Sequence, residues 1–591
     1  VANTSWLTYV FPVITLLFIL LFFAGCPHIE SVSLKSAGKR RFNKRDLLVL
    51  GLIVILYSAV AFYNLGDKTA PESFQHFESG ESTVLDLGEC RDIDDIMFYT
   101  GLNAGSYTVD FSLDGISWQE SALLDQNYAA LFKWESADFI DGADKYTRYI
   151  RITANEELYL GELALKNAEG GLISYTCDAD RICDEQSIVP DYQFYLNSTY
   201  FDEIYHARTA YEHLEGVYPY EVSHPPLGKL IIAIGIELFG MTPFGWRFSG
   251  VVFGIAMLPV LYTLIKRMFG GIAVPACGTA IFAFDFMHFT QTRIATIDTY
   301  AVFFILLMYL FMYLYIEGGR LRHLALSGIF FGIGAACKWT CFYAGAGLAV
   351  IWLIYRIKRL KNGESFWDFI KNCLFCTVFF VLIPAAVYYV SYFAYGTASG
   401  LSGIKMLFSK EYADIVLNNQ QFMFSYHSGV HSEHPYSSRW YQWMFDVRPI
   451  LYYLLYFEDG TRSSFGAFLN PVLCWGGFIA LFPVAYLAFF RKDKTSLFIL
   501  IGYLAQLLPW VFITRTTFEY HYFPSAVFLT LALCRIFSLM RTHTKYWRAN
   551  VYGLTALSLI LFCVFYPVLS GLTVNAELAS SLLQWLPTWP F

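Results

Sequence analysis

FSGVVFGIAMLPVLYTLIKR, residues 248–267, runs eighteen residues without a charge and then ends on Lys266-Arg267. A hydrocarbon core about 30 Å thick takes roughly 20 helical residues to cross, so this stretch reads as a membrane span. Its terminal basic pair marks the cytoplasmic side. The same reading applies to runs at 6–24, 46–63, 272–290, 297–316, 324–338, 340–356, 368–395, 470–490, 496–513, 522–540 and 550–570. Together they predict a polytopic α-helical membrane protein of about twelve transmembrane helices.

Composition agrees with that class. The 591 residues are 56% hydrophobic and 19% aromatic with only 15% charged, a balance that excludes an ordinary soluble enzyme. The basic loop Lys35, Lys39, Arg40, Arg41, Lys44 and Arg45 puts 25–45 in the cytoplasm and the N-terminus outside. Arg320 with Arg322, Arg356 to Lys361, Arg491 to Lys494 and Arg541 to Arg548 fall on the same side, and the C-terminus is expected outside. The net charge of −7 comes from acidic outer segments facing basic inner loops and implies no nucleic-acid partner. The first apolar run is read as an anchor helix rather than a signal peptide, because no small-residue cleavage site precedes the basic loop. Most of the twelve cysteines, such as Cys373 and Cys376, sit in apolar runs as small hydrophobes. Cys177 and Cys183 could pair outside, and Cys90 has no evident mate.

Two stretches are too polar for membrane. Over 67–176, apolar and polar residues alternate in short runs (Ser82 to Leu87, Tyr107 to Leu113, Tyr149 to Thr153, Leu158 to Leu165) separated by Gly and Asp, which predicts an extracytoplasmic β-sandwich inserted in the first outer loop. The second stretch, 396–469, carries His427, His431, His434, Arg439, Trp440 and Arg448 and reads as an irregular substrate-binding loop rather than a metal site, since Pro435 and Pro449 break regular structure. The remaining organisation is 1–66 (two helices and the basic loop), 177–247 (a catalytic outer loop with interfacial helices), 248–395 (transmembrane core) and 470–591 (C-terminal helices).

Charged groups beside the spans point to chemistry, because carboxylates and guanidinium groups are costly near hydrocarbon. Asp202-Glu203 precedes His224-Pro225-Pro226-Leu227-Gly228-Lys229, while Gln291, Arg293 and Asp298 occupy one outer turn and Arg515, Glu519, Tyr520 and His521 another. Arg293–Asp298 and Arg515–Glu519 could be structural salt bridges, and Asp202-Glu203 could cap a following helix. All of these groups fall on one membrane face, which favours a site that holds an anion there. A transporter or glycan-binding anchor is disfavoured, since transporters hold substrate near the midplane.

Taken together, Phe201-Asp202-Glu203-Ile204-Tyr205-His206, the 224–229 block, Pro243-Phe244-Gly245-Trp246-Arg247, Gln291-Thr292-Arg293 with Asp298, His434 to Tyr441, Asn470-Pro471 and Tyr520-His521-Tyr522-Phe523-Pro524 resemble the bacterial protein O-mannosyltransferases, which are GT-C glycosyltransferases. The resemblance runs from about 200 to 570 in order. The 67–176 insert, with Val84 to Gly88, Tyr107 to Val109, Ser112 to Trp118 and Arg148 to Ile152, resembles discoidin-like (F5/8 type C) modules, so a glycan ligand and a plain spacer both stand as readings of it. The eukaryotic members' luminal β-trefoil has no counterpart here. The mannosyltransferase resemblance implies an integral protein of the bacterial cell membrane with an extracytoplasmic active site. It would move mannose from a polyprenyl-phosphate carrier to Ser or Thr of secreted or membrane proteins, with inversion. The alternative keeps the donor and sends the sugar to a cell-envelope glycan or lipid.

For this chemistry Asp202 is expected to accept the hydroxyl proton, with Glu203 orienting the acceptor or taking that role. Arg293 leads the candidates for the departing phosphate, with Lys229, Arg439 and Arg515 behind it. His224, Gln291, Asp298, His434, Trp440, Tyr520 and His521 complete the expected substrate contacts. Neither cofactor nor metal is expected, since the sugar arrives on a lipid phosphate and no Gly-rich phosphate loop occurs. Residues 228–240, which include Glu237, are expected to lie as a helix on the membrane surface.

Overall fold

The computed structural model describes residues 7–29, 40–429 and 433–591, so Lys35 and Lys39 of the basic loop and His431 lie outside the described residues. Nine described helices are long and apolar enough to cross a membrane, from Lys44–Phe62 to Trp547–Phe565. Three shorter apolar helices, Thr8–Ala24, Ala273–Ala283 and Leu321–Cys337, stand where the remaining spans are expected. The chain is thus a polytopic helical membrane protein, and it divides into two compact units.

The membrane unit takes in residues 1–63, 216–231 and 250–591. Some of its helices begin on a polar side chain that satisfies free N–H groups of the first turn. Asn43 accepts from the Asp46 N–H at 3.2 Å, and the Asp46 carboxylate accepts from the Asn43 N–H at 3.0 Å. The other Asp46 oxygen takes hydrogen bonds from Lys266 Nζ and Tyr262 Oη, both at 2.7 Å, in a site closed to solvent. This pair joins the second helix to the C-terminal end of Pro243–Phe269.

The expected single span at 272–290 is instead two helices, Ala273–Ala283 and Phe286–Thr292. Asp285 makes the break: its carboxylate caps the second helix through the His288 N–H at 3.1 Å and receives the Asn470 N–H at 2.8 Å. The outer stretch 396–469 is also more ordered than a loop reading predicts. It contains the helix Lys410–Gly429 and an antiparallel hairpin of Ile450–Tyr456 with Thr461–Ala467. Pro435 and Pro449 both lie in the stretch between this helix and this hairpin.

The second unit consists of residues 64–215 and 232–249. Its sandwich has two antiparallel sheets. In one, Leu158–Lys166 lies between Gln75–Phe77 and Asp95–Thr100; in the other, Tyr146–Ala154 lies between Ser82–Asp92 and Gly105–Ser112. Alternation follows the period of two of a strand: Ile150, Ile152 and Ala154 are sealed in the core, while Arg151 faces outward to Asp110. The Cys177 and Cys183 sulfurs lie 3.4 Å apart.

The sandwich also fixes the segment that leads to the acidic pair. Ser198 Oγ accepts from the Trp134 N–H at 3.1 Å, and Thr199 Oγ1 donates to the Leu131 carbonyl at 2.7 Å. The helix Glu203–Glu215 then packs Tyr211 edge-on against Phe132.

Candidate active site

The acidic pair splits into two environments. Glu203 is fully buried, and both its oxygens are taken by Arg247, from Nε at 2.8 Å and from a terminal guanidinium nitrogen at 2.7 Å. The same guanidinium also donates to the Leu65 and Ser198 carbonyls at 2.9 and 3.0 Å. A buried pair with its remaining donors satisfied is a locked joint. Asp202 is half-buried, and its carbonyl receives the Tyr205 and His206 N–H groups that start the helix. The left-handed backbone of Phe201 (φ 48°) turns the chain just before it.

In the membrane unit the second cluster gathers around Lys338. Its Nζ donates to both Asp298 oxygens, at 2.7 and 2.8 Å, and stands 5.6 Å from the Tyr520 ring. Asp298 therefore pairs with Lys338 rather than Arg293. The expected Arg515–Glu519 bridge is likewise replaced: the Glu519 carboxylate is buried facing Asp446. Lys338 and Arg515 both act electrostatically on His427 and His521, and Lys338 also acts on His224.

Around this cluster the neighbouring groups are tightly held. Lys229 is closed to solvent and donates to Glu221 Oε2 at 2.5 Å and to its carbonyl at 2.7 Å. Glu221 Oε1 lies 3.1 Å from His224 Nδ1. His427, at the end of Lys410–Gly429, donates from Nε2 to the Ser223 carbonyl at 2.8 Å and packs edge-on to His224 at 5.1 Å. Burial keeps the His224 imidazolium disfavoured. For His427, burial and then the charges of His224 and Arg515 push the pKa down to about 4. Both rings are accordingly neutral at pH 7, able to give or take a hydrogen bond without adding charge.

Arg293 is buried, lies over the Phe289 ring at 4.8 Å and donates to the Tyr63 carbonyl at 2.8 Å. Gln291 accepts from Tyr452 Oη, and its carbonyl takes the Thr299 hydroxyl at 2.7 Å. His434 packs edge-on to Phe518 at 4.9 Å, which stacks on Tyr520 at 5.7 Å. Arg439 is exposed and donates to the Thr514 carbonyl at 3.1 Å, with half-buried Trp440 beginning the short helix after it.

The membrane unit thus brings together His224, Lys229, Asp298, Arg515, Tyr520 and His521 from the sequence reading and adds Lys338, His427 and Glu221. Lys338 carries a legible signal: a lone lysine between two apolar runs, at an outer turn, is a charge that needs a partner there.

Two family models match the chain: dolichyl-phosphate-mannose-protein mannosyltransferase over residues 223–389, and the C-terminal four TMM region of protein-O-mannosyltransferase over 413–589. Among curated relatives, a polyprenol-phosphate-mannose–protein mannosyltransferase of Mycobacterium tuberculosis is 25% identical over 429 residues, which is 62% of this chain and 81% of the relative. Its counterpart in Mycolicibacterium smegmatis is 26% identical over 452 residues, 66% of this chain and 87% of that one. The Saccharomyces cerevisiae Pmt1-Pmt2 complex bound to its sugar donor has the same fold, with a TM-score of 0.57 at 15% identity over 66% of this chain and 89% of that one. With both family regions in order on a GT-C membrane fold, the chain belongs to the protein O-mannosyltransferases.

Proposed function

We propose that this protein is an inverting glycosyltransferase that moves mannose from a polyprenyl-phosphate carrier to Ser or Thr hydroxyls of proteins on the extracytoplasmic side of the membrane. The observation that carries the reading is the Lys338 cluster, where Lys338, Arg515 and two neutral histidines converge at the outer ends of spans. Such a group suits a phosphate that gains charge as the sugar leaves it. The curated relatives named for polyprenol-phosphate-mannose support the donor. Arg320 with Arg322, and Arg356 to Lys361, lie at the far ends of the two helices, Leu321–Cys337 and Thr340–Lys361, that meet at the Lys338 turn, which supports an outward site.

In the step itself, the acceptor oxygen forms a bond to the anomeric carbon as the carbon–oxygen bond to the phosphate breaks. The hydroxyl proton passes to Asp202, and the polyprenyl phosphate leaves as a monoester held by cationic side chains. Asp202 is the better base, because Glu203 is committed to Arg247. Arg293, Arg515 and Lys338, the last held in place by Asp298, are the cations proposed for the phosphate. These groups would take the charge-neutralising role that a divalent ion plays with nucleotide sugars.

Purified full-length protein in lipid nanodiscs, given polyprenyl-phosphate-[14C]mannose and a threonine peptide, should label the peptide, and mild alkali should release the sugar by β-elimination. Label appearing only in added envelope glycan or lipid would instead select the alternative acceptor.

A further inference from the structure

The loop 433–449 and the segment 513–518 border a cleft of about 370 Å³ in the membrane unit, lined by Arg439, Arg448, Ser437, Thr514, Thr516 and Thr517 among others. Every lining residue is polar. We propose that this cleft receives the acceptor polypeptide and favours chains bearing carboxylate side chains close to the hydroxyl that is mannosylated. The inference rests on the mannosyltransferase reading and adds an acceptor class to it.

The guanidinium groups carry the argument. Arg439 donates to the Thr514 carbonyl at 3.1 Å and Arg448 to the Pro435 carbonyl at 2.6 Å. Each fork is therefore held by the main chain while most of its five N–H donors stay available. Among the described residues no carboxylate forms an ion pair with either, although Glu433 also lines the cleft. Two oriented forks against one carboxylate leave the cleft cationic, and such forks match carboxylate oxygens.

The lining also excludes other occupants. A polyprenyl chain needs apolar walls, and no apolar residue lines this cleft. Sugar rings are commonly held on aromatic faces, and no aromatic side chain lines the space. The location fits an acceptor, because one segment borders both places: Thr514, Thr516 and Thr517 line the cleft, while Arg515 between them acts on His427 and His521 of the Lys338 cluster.

Three peptides with one shared threonine and neutral, paired-Asp or paired-Lys flanks test this in the full-length protein by kcat/KM. The Asp peptide should exceed the neutral one by about five-fold, the scale of an exposed ion pair near 1 kcal/mol, with the advantage shrinking in high salt. Arg448→Gln should bring the ratio toward one, and Arg448→Glu should invert it in favour of the Lys peptide, a gain that an unfolded variant cannot give. Equal rates on all three peptides in the native protein, or an Asp preference surviving both substitutions, would overturn the acceptor class while leaving the transferase reading intact. Failure to label any peptide would overturn both.

Discussion

At the residue scale, the neighbours Asp202 and Glu203 have separate duties. Removing a proton acceptor costs rate and leaves folding intact, so Asp202→Asn should lower turnover by about 10²–10⁴-fold with an unchanged melting profile. Near-normal turnover would dismiss Asp202 as base. Glu203→Gln strands a buried guanidinium, and a loss of about 3–5 kcal/mol of stability is expected, seen as a markedly lower melting temperature in detergent. Lys338→Ala should cost about 100-fold in transfer with a raised donor KM, the scale of losing one group that stabilises developing charge. Candidates such as Asp202, Glu203 and Arg293 were legible because charge beside hydrocarbon stands out at once. Their partners were not: Arg247 meets Glu203 across 44 positions, and Lys338 meets Asp298 across 40, separations that no local pattern encodes.

At the element scale, the turn 519–522 and the loop reaching Asp446 are held together by two buried carboxylates. Asp446 Oδ1 accepts from the Leu469 N–H at 3.1 Å, and the Asp446 and Glu519 carboxyls hydrogen-bond to each other through a shared proton. Burial pushes the Asp446 and Glu519 carboxyls above the usual carboxylate range. The folded chain thus holds a proton that the unfolded chain has already lost. Stability from this pair is complete at acid pH, where the unfolded carboxyls are also protonated, and is lost as pH rises through the raised range of the folded pair. The melting temperature should fall between pH 5 and 8, and Asp446→Asn should flatten that fall; an equal slope in the variant would remove Asp446 from the effect. Long apolar runs made the spans readable almost to their ends. The break at Asp285 escaped because its capping role depends on Asn470, which arrives only in the fold.

At the scale of the whole molecule, composition alone settled the membrane class, and the Lys and Arg distribution predicts its orientation. A single cysteine at Asp141, in the sandwich, should react with a membrane-impermeant maleimide added to intact cells, whereas one at Gly363 should react only after permeabilisation. The reverse pattern would invert the topology. The buried bond from Asp46 to Lys266 has a further meaning for biogenesis. Between these two residues the ribosome must deliver the whole sandwich, 220 positions of chain separating the partners. Until Pro243–Phe269 is inserted, the second helix waits in the bilayer with an unneutralised carboxylate. A delay in exporting the outer module would therefore prolong an exposed, degradable intermediate, which makes quality control of the membrane half answerable to translocation of the soluble half.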